Sequence, residues 1–259
     1  MNPAAALGLL LLASQAAPEP GRGRFEIGVD LEADIALPRG SLRFDERPAR
    51  GDRLDLNSDL GAGGARPSAE VRATAALERD TWELGLRGFE FRGRETFSRD
   101  ARFNETLFSR GEEVDSVLRL QSVRLSWDHG FESTAGAAFH AGLEVRYWRI
   151  EVVMSSDARG RDDDHMGTAA PLARAGLELP VGNGAARLRL RSYGTAWKLG
   201  DRSVHVFGGE ASIDVPCGAA AIGLAFFAER AGLLNTDRIQ RNELELETLG
   251  AGVSVAWRF

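Results

Sequence analysis

Residues 24–37 have the sequence RFEIGVDLEADIAL, in which an apolar side chain occupies every second position from Phe25 to Leu37. A period of two residues is typical of a β-strand with one apolar and one polar face. The run continues for fourteen residues without a break, which is long for a soluble strand but suits a tilted strand that crosses a bilayer. The run therefore predicts a transmembrane β-strand.

The last residues, LGAGVSVAWRF at 249–259, show the same alternation and finish on Phe259. One face of this predicted strand is apolar up to its final position, and in water such a strand end would fray. We therefore expect lipid around this face.

Similar alternation divides the chain into ten predicted strands, at 24–37, 67–78, 81–93, 114–128, 135–154, 169–181, 184–197, 202–215, 218–232 and 243–259. Short connections near residues 79, 130, 183 and 218 alternate with longer polar segments at 38–66, 94–113, 155–168, 198–201 and 233–242. Short turns at one end and longer loops at the other are typical of outer-membrane barrels.

The predicted fold is therefore an all-β, transmembrane, antiparallel up-and-down β-barrel of about ten strands. The KLGD connection at 198–201 is the shortest of the predicted loops, and eight or twelve strands are the alternatives if it is wrong. A soluble β-sandwich is the competing fold, because alternation alone does not say what covers the apolar face.

Three predicted strands change the phase of their alternation midway. A shift of one residue would turn every later side chain to the other face, so we predict a β-bulge at each change, with the apolar face kept outward. The apolar residues on the two sides of these changes are Trp82, Leu84 and Leu86 before Phe89 and Phe91, Leu118 and Leu120 before Val123, Leu125 and Trp127, and Tyr147 before Trp148, Ile150 and Val152.

The N-terminal residues predict export of the chain. Residues 1–16 contain an apolar run followed by a small-residue cleavage pattern, which is typical of a signal peptide. Residues 17–23 then form a short periplasmic segment, and residues 24–259 form the barrel. The single cysteine, Cys217, excludes an internal disulfide, and a net charge of −6 argues against nucleic-acid binding.

The terminal strand resembles the C-terminal assembly signal of bacterial outer-membrane barrels. Two internal stretches, DRLDLNSDLG at 52–61 and FNETLFSRGEEVDSVLRLQSVRLSWDHGF at 103–131, are similar to parts of a largely uncharacterised, loosely porin-like group of small outer-membrane barrels. The resemblance implies an integral outer-membrane location in a Gram-negative envelope. It also implies outer-membrane lipid, lipopolysaccharide and the barrel assembly machinery as partners, with Val255, Trp257 and Phe259 in the assembly signal. It implies no catalytic residue.

The face opposite the apolar one carries many charges, which we expect to line the lumen. The predicted lumen acids are Glu26, Asp30, Glu32, Asp34, Glu70, Glu83, Glu90, Glu144, Glu178, Glu210, Asp214, Glu245 and Glu247. The predicted lumen bases are Arg72, Arg87, Arg92, Arg119, Arg124, Arg146, Arg174, Arg187, Arg189 and Arg191. Because the two signs nearly balance, we expect ion pairs that fill a narrow barrel rather than a pore lined by one sign of charge.

The row Arg187, Arg189 and Arg191 is the most conspicuous part of this predicted charge network. The predicted turns bring Glu178 close to Arg187, Glu210 close to Arg191 and Asp214 close to Arg187. Cross-strand pairing is the favoured interpretation of the row, and a path for small anions is the alternative.

The segment GRDDDH at 160–165 is predicted to be a loop. Its residues Asp162, Asp164 and His165 are weak candidates for a metal or catalytic cluster, since carboxylates and imidazole can bind a cation or activate water. We expect no cofactor, because the chain has no recognisable nucleotide-binding, zinc-protease or serine-hydrolase motif. The predicted function is a structural or narrowly porin-like barrel that passes at most small solutes. An outer-membrane hydrolase acting on lipid or peptide through the loop site is the alternative.

Overall fold

The computed structural model describes residues 25–46, 50–132, 136–182, 184–236 and 240–259. The predicted signal peptide and the segment 17–23 lie outside these residues. Within the described ranges, no helix has the length and apolar character needed to cross a membrane.

The described chain forms thirteen β-strands. They are β1 (Phe25–Glu46), β2 (Leu54–Asp55), β3 (Arg66–Leu77), β4 (Asp80–Thr96), β5 (Ala101–Phe103), β6 (Thr106–Phe108), β7 (Glu113–Glu132), β8 (Ala138–Ser156), β9 (Gly160–Val181), β10 (Ala186–Leu199), β11 (Arg202–Cys217), β12 (Ala220–Thr236) and β13 (Gln240–Arg258). Each of the ten predicted strands overlaps one of the ten long strands.

The ten long strands form a closed antiparallel ring in chain order, because β13 also pairs with β1. A path that follows paired residues once around the ring from Glu26 returns to β1 at Pro38, twelve positions further along. This stagger tilts the strands by roughly 40° to the barrel axis. The predicted ten-stranded up-and-down barrel is therefore confirmed.

The outer face of the ring carries an apolar band. On β1 the outward positions from Phe25 to Leu37 are apolar, and Leu31 and Ile35 are 44% and 58% exposed. Thirteen residues at a rise of about 3.3 Å and this tilt span roughly 30 Å, which is the thickness of the hydrocarbon core of a bilayer. A soluble sandwich would cover this face with a second sheet, whereas here it is exposed.

The predicted β-bulges are wrong. The pairing of β4 with β7 runs without a break from Asp80↔His129 to Thr96↔Glu113, and that of β7 with β8 runs without a break from Asp115↔Ser155 to Glu132↔Ala138. Each side chain therefore keeps its face along the whole strand. The phase change has another cause: the apolar residues move from the outside of the barrel to the inside.

Strand β8 shows this inversion clearly. Its outward residues change from Val145 and Tyr147 to Arg149 and Glu151, while its inward residues change from Glu144 and Arg146 to the buried Trp148, Ile150, Val152 and Met154. Strand β4 changes in the same way, with Phe91 only 1% exposed. Within the membrane the apolar side chains therefore face outward and the charged ones face the lumen. Above the membrane the apolar side chains face inward and the charged ones face outward, because the outer surroundings change from lipid to water.

The loop lengths differ from the prediction for the same reason. Residues 160–168 belong to β9 rather than to a loop, and β1 extends to Glu46. Several predicted loops are thus polar-faced strands that continue above the bilayer. The KLGD connection is a tight turn between β10 and β11, as expected.

Two segments close the loop end of the barrel. Leu54 and Asp55 pair with β1 above the end of β3, and the following residues reach the inner face of β4 and β7, where the Leu60 carbonyl accepts a hydrogen bond from the Ser116 hydroxyl. Gly93 permits this contact, since a Cβ atom there would lie 1.8 Å from the carbonyl oxygen of Leu60. The β5–β6 hairpin packs against β1, where the rings of Phe44 and Phe103 are 5.5 Å apart.

These segments complete an apolar core in the loop-side half of the lumen. Leu54, Leu56, Phe103 and Phe108 are at most 1% exposed and pack with the inward residues of the long strands. The core closes the barrel at its loop end.

Candidate functional site

The lumen within the apolar band is filled by ion pairs. We define the charge network as the inward-facing acids and arginines of this turn-side half, which lie on every long strand because the two-residue period brings one side chain in two into the lumen.

The arginine row of β10 contacts acids from several strands. Arg189 lies 2.8 Å from Asp214 and 3.8 Å from Glu178, and Arg191 lies 3.7 Å from Glu83. Arg187 is 67% exposed at the turn end of the lumen, and its nearest described carboxylate is Glu178 at 3.9 Å.

The predicted neighbours agree with the strand register but not with the shortest contacts. The register places Arg187 opposite Asp214 and Arg191 opposite Glu210. The Asp214 carboxylate nevertheless lies on Arg189, and Glu210 lies 3.6 Å from Arg72 across the lumen. Long side chains in a narrow barrel reach beyond the adjacent strand, so pairing by register alone is incomplete.

Arg72 is the centre of one part of the network. Its side chain is 4% exposed and contacts Glu32 directly, Asp30 at 3.3 Å and Glu210 at 3.6 Å. These three carboxylates come from β1 and β11, so the Arg72 guanidinium bridges opposite walls.

Arg146 is the centre of a second part. It bonds Glu144 at 2.6 Å and Glu229 at 2.5 Å, and Glu229 also accepts a hydrogen bond of 2.6 Å from the Tyr193 hydroxyl. The guanidinium carbon lies 4.4 Å from the centre of the Tyr193 ring, within the range of a cation–π contact.

The sequence prediction missed Glu229 and Tyr193. Glu229 lies between Ala228 and Arg230, where the outward side chains of β12 change from apolar to charged. Parity counted from the lipid-facing series Ile222, Leu224 and Phe226 would have placed Glu229 in the lumen.

Five predicted lumen residues instead face outward above the apolar band. They are Glu90, Arg92, Arg119, Glu245 and Glu247, and the error follows from the incorrect bulges and from the unrecognised inversion. On this outer surface Arg119 bonds Glu90 at 2.8 Å. Hydrogen bonds from Arg119 and Arg92 lower the pKa of Glu90 below its usual range.

A cavity of about 230 Å³ opens at the turn end of the lumen. Arginines and acids line it together, among them Arg174, Arg189, Arg258, Asp128 and Glu178. Beyond it the charge network fills the lumen, and beyond the network lies the apolar core.

The predicted loop cluster does not converge. Asp162 and Asp164 point inward from β9, where Asp162 lies 3.4 Å from the Asn104 amide, while Asp163 and His165 point outward. Over the residues described, no group of three or more His, Cys, Asp or Glu side chains has a geometry that could hold a metal ion.

The chain has structural neighbours but no sequence match. No protein-family model and no curated sequence matches it. The outer membrane protease OmpT from Escherichia coli is 10% identical, with 95% of this chain and 99% of that chain covered and a TM-score of 0.47. The outer membrane protein OprG from Pseudomonas aeruginosa is 9% identical, with 92% and 98% covered and a TM-score of 0.38. Neisserial surface protein A is 11% identical, with 88% and 96% covered and a TM-score of 0.36.

The closed ring, the apolar band and the charged lumen define the class of this protein: an integral β-barrel of the bacterial outer-membrane type. The barrel fold that the sequence resemblance implies is confirmed by the closed ring of strands.

Proposed function

We propose that this protein is a structural barrel of the outer membrane that offers solutes no continuous path and holds a compact loop-side domain at the cell surface. The observation that carries this proposal is the filling of both halves of the lumen. Ion pairs centred on Arg72 and Arg146 occupy the turn-side half, and the apolar core with Trp148 and Phe103 occupies the loop-side half.

The apolar core argues most strongly against a porin-like role. A porin needs a wet, polar passage, whereas Ile150, Val152 and Met154 are 0% exposed in the loop-side lumen. An ion that entered from the turn side would have to pass between these closely packed apolar side chains, which is costly.

The same proposal covers partners and catalysis. The apolar band fits outer-membrane lipid and lipopolysaccharide, and insertion of the barrel requires the assembly machinery. We propose no catalytic role for Asp163 and His165. Their outward direction separates them from Asp162 and Asp164, so the hydrolase alternative lacks a convergent site.

Planar-bilayer recording of the purified full-length protein tests the proposal. We expect no steady current above that of the bare lipid, with insertion verified by co-flotation with vesicles. Replacement of Arg187, Arg189 and Arg191 by alanine is the matched variant, and it too is expected to remain closed because the apolar core is unchanged. A steady anion current in the wild-type protein that falls in this variant would instead establish the anion path.

A further inference from the structure

A groove of about 450 Å³ lies on the outer face of the barrel, across β11, β12, β13 and β1. Its floor contains Gly209, which has no side chain, and Ala228, which has only a methyl group, and they leave a depression in the lipid-facing wall. Phe207, Leu249 and Leu37 flank it and are 56%, 50% and 43% exposed.

The upper end of this groove is charged. Arg39, Arg230 and Glu247 line it, each at the next outward position above an apolar residue of its strand, namely Leu37, Ala228 and Leu249. Each of the two arginines pairs in register with Glu247, one from β1 and one from β12. The groove therefore crosses the level at which the outer surroundings change from hydrocarbon to headgroups and water.

The two arginines carry more positive charge than the single acid between them, Glu247, can neutralise. Arg230 lies 3.5 Å from Glu247, and both side chains are more than half exposed. Among the described residues, no carboxylate lies within 4.0 Å of the Arg39 guanidinium, and the Arg39 side chain is exposed. One guanidinium is thus available for an anion at headgroup depth, with a second beside it.

We infer that this groove is a selective site for a phosphorylated glycolipid of the outer leaflet. An acyl chain occupies the depression over Gly209 and Ala228, and a phosphate group contacts Arg39 and Arg230. Arginine suits phosphate because its planar guanidinium donates two parallel hydrogen bonds. This inference is independent of whether the lumen conducts.

The other side of the barrel supplies matched controls. Arg149 is the first charged outward residue of β8, as Arg230 is of β12, but it follows the large side chain of Tyr147 rather than a depression. Ala173 on β9 is an exposed lipid-facing alanine like Ala228 and lies outside the groove.

The test measures lipid retention by native mass spectrometry of the full-length protein in detergent. The probes are bis-phosphorylated lipid A and the same lipid after removal of its phosphates. We expect the wild-type protein to retain one bis-phosphorylated lipid. Arg39→Gln and Arg230→Gln should each weaken retention about tenfold, as expected for loss of a charge-assisted hydrogen bond, and Arg149→Gln should leave it unchanged.

The groove itself is tested with Ala228→Leu, which should reduce retention, against Ala173→Leu, which should not. All of these side chains face the surroundings, and heat-modifiable migration on a gel verifies that each variant is folded. Equal retention of the phosphorylated and dephosphorylated lipids by the wild-type protein would overturn the inference. So would the same loss of retention in the Arg149→Gln protein as in the Arg39→Gln protein.

Discussion

Substitution of Arg72 by methionine tests whether the charge network stabilises the barrel. Methionine keeps most of the length of the side chain but removes the charge that three carboxylates share. At an effective dielectric of about 20, a single contact at 3.3 Å, such as that with Asp30, corresponds to about 5 kcal/mol of attraction. Loss of the desolvation cost of the arginine offsets part of this term. We therefore expect a loss of about 3–5 kcal/mol in the free energy of unfolding, as for other buried pairs that lose one partner.

Urea unfolding of the protein in phospholipid vesicles, followed by tryptophan fluorescence, measures this loss. Arg92→Met is the control, because Arg92 is 70% exposed on the outer surface and should cost less than about 1 kcal/mol. Addition of Glu32→Gln to Arg72→Met should recover part of the stability, since one of the unpaired carboxylates becomes neutral. A free energy of unfolding for Arg72→Met within 1 kcal/mol of the Arg92→Met value would refute the view that the network stabilises the fold.

Three further predictions concern the inversion and the membrane. Phe91→Ala should destabilise the barrel by about 3–5 kcal/mol in the same urea assay, because it opens a cavity in the apolar core; a cost as small as that of Arg92→Met would mean that Phe91 faces outward. In a Cys217→Ser background, Glu151→Cys should react with a membrane-impermeant maleimide on intact cells and Val152→Cys should not, and equal labelling would contradict the inversion. The wild-type protein should sediment with the outer membrane and migrate faster on a gel before boiling than after it, whereas a soluble periplasmic monomer would contradict the barrel.

Sequence reasoning alone favoured the class of fold and a count of about ten strands, with eight or twelve strands and a soluble sandwich as the alternatives. Alternation in runs such as 24–37 is a local property, since the backbone of a strand places successive side chains on opposite faces whatever lies around it. The long runs, the turns between them and the closing strand at 249–259 therefore predicted a barrel of about ten strands, and the structure has ten long strands.

Which face of a strand is inside at each level of the barrel could be read only from the pairing between strands. The phase change at Tyr147 and Trp148 is compatible with a β-bulge in a strand that stays in lipid, or with a regular strand that passes from lipid into water. The residues of one strand do not distinguish these two cases. The register with β7 and β9 does, because it continues unbroken through the change.

The partners of the lumen charges also depend on the closed ring. The register between adjacent strands predicts that Glu210 is near Arg191, but the bridge between Glu210 and Arg72 joins walls that meet only across the lumen. Such a contact depends on the radius and stagger of the barrel, which are properties of all ten strands together. The local two-residue periodicity therefore predicts the strands of the barrel, whereas the ion pairs in the lumen depend on how the ten strands close into a ring.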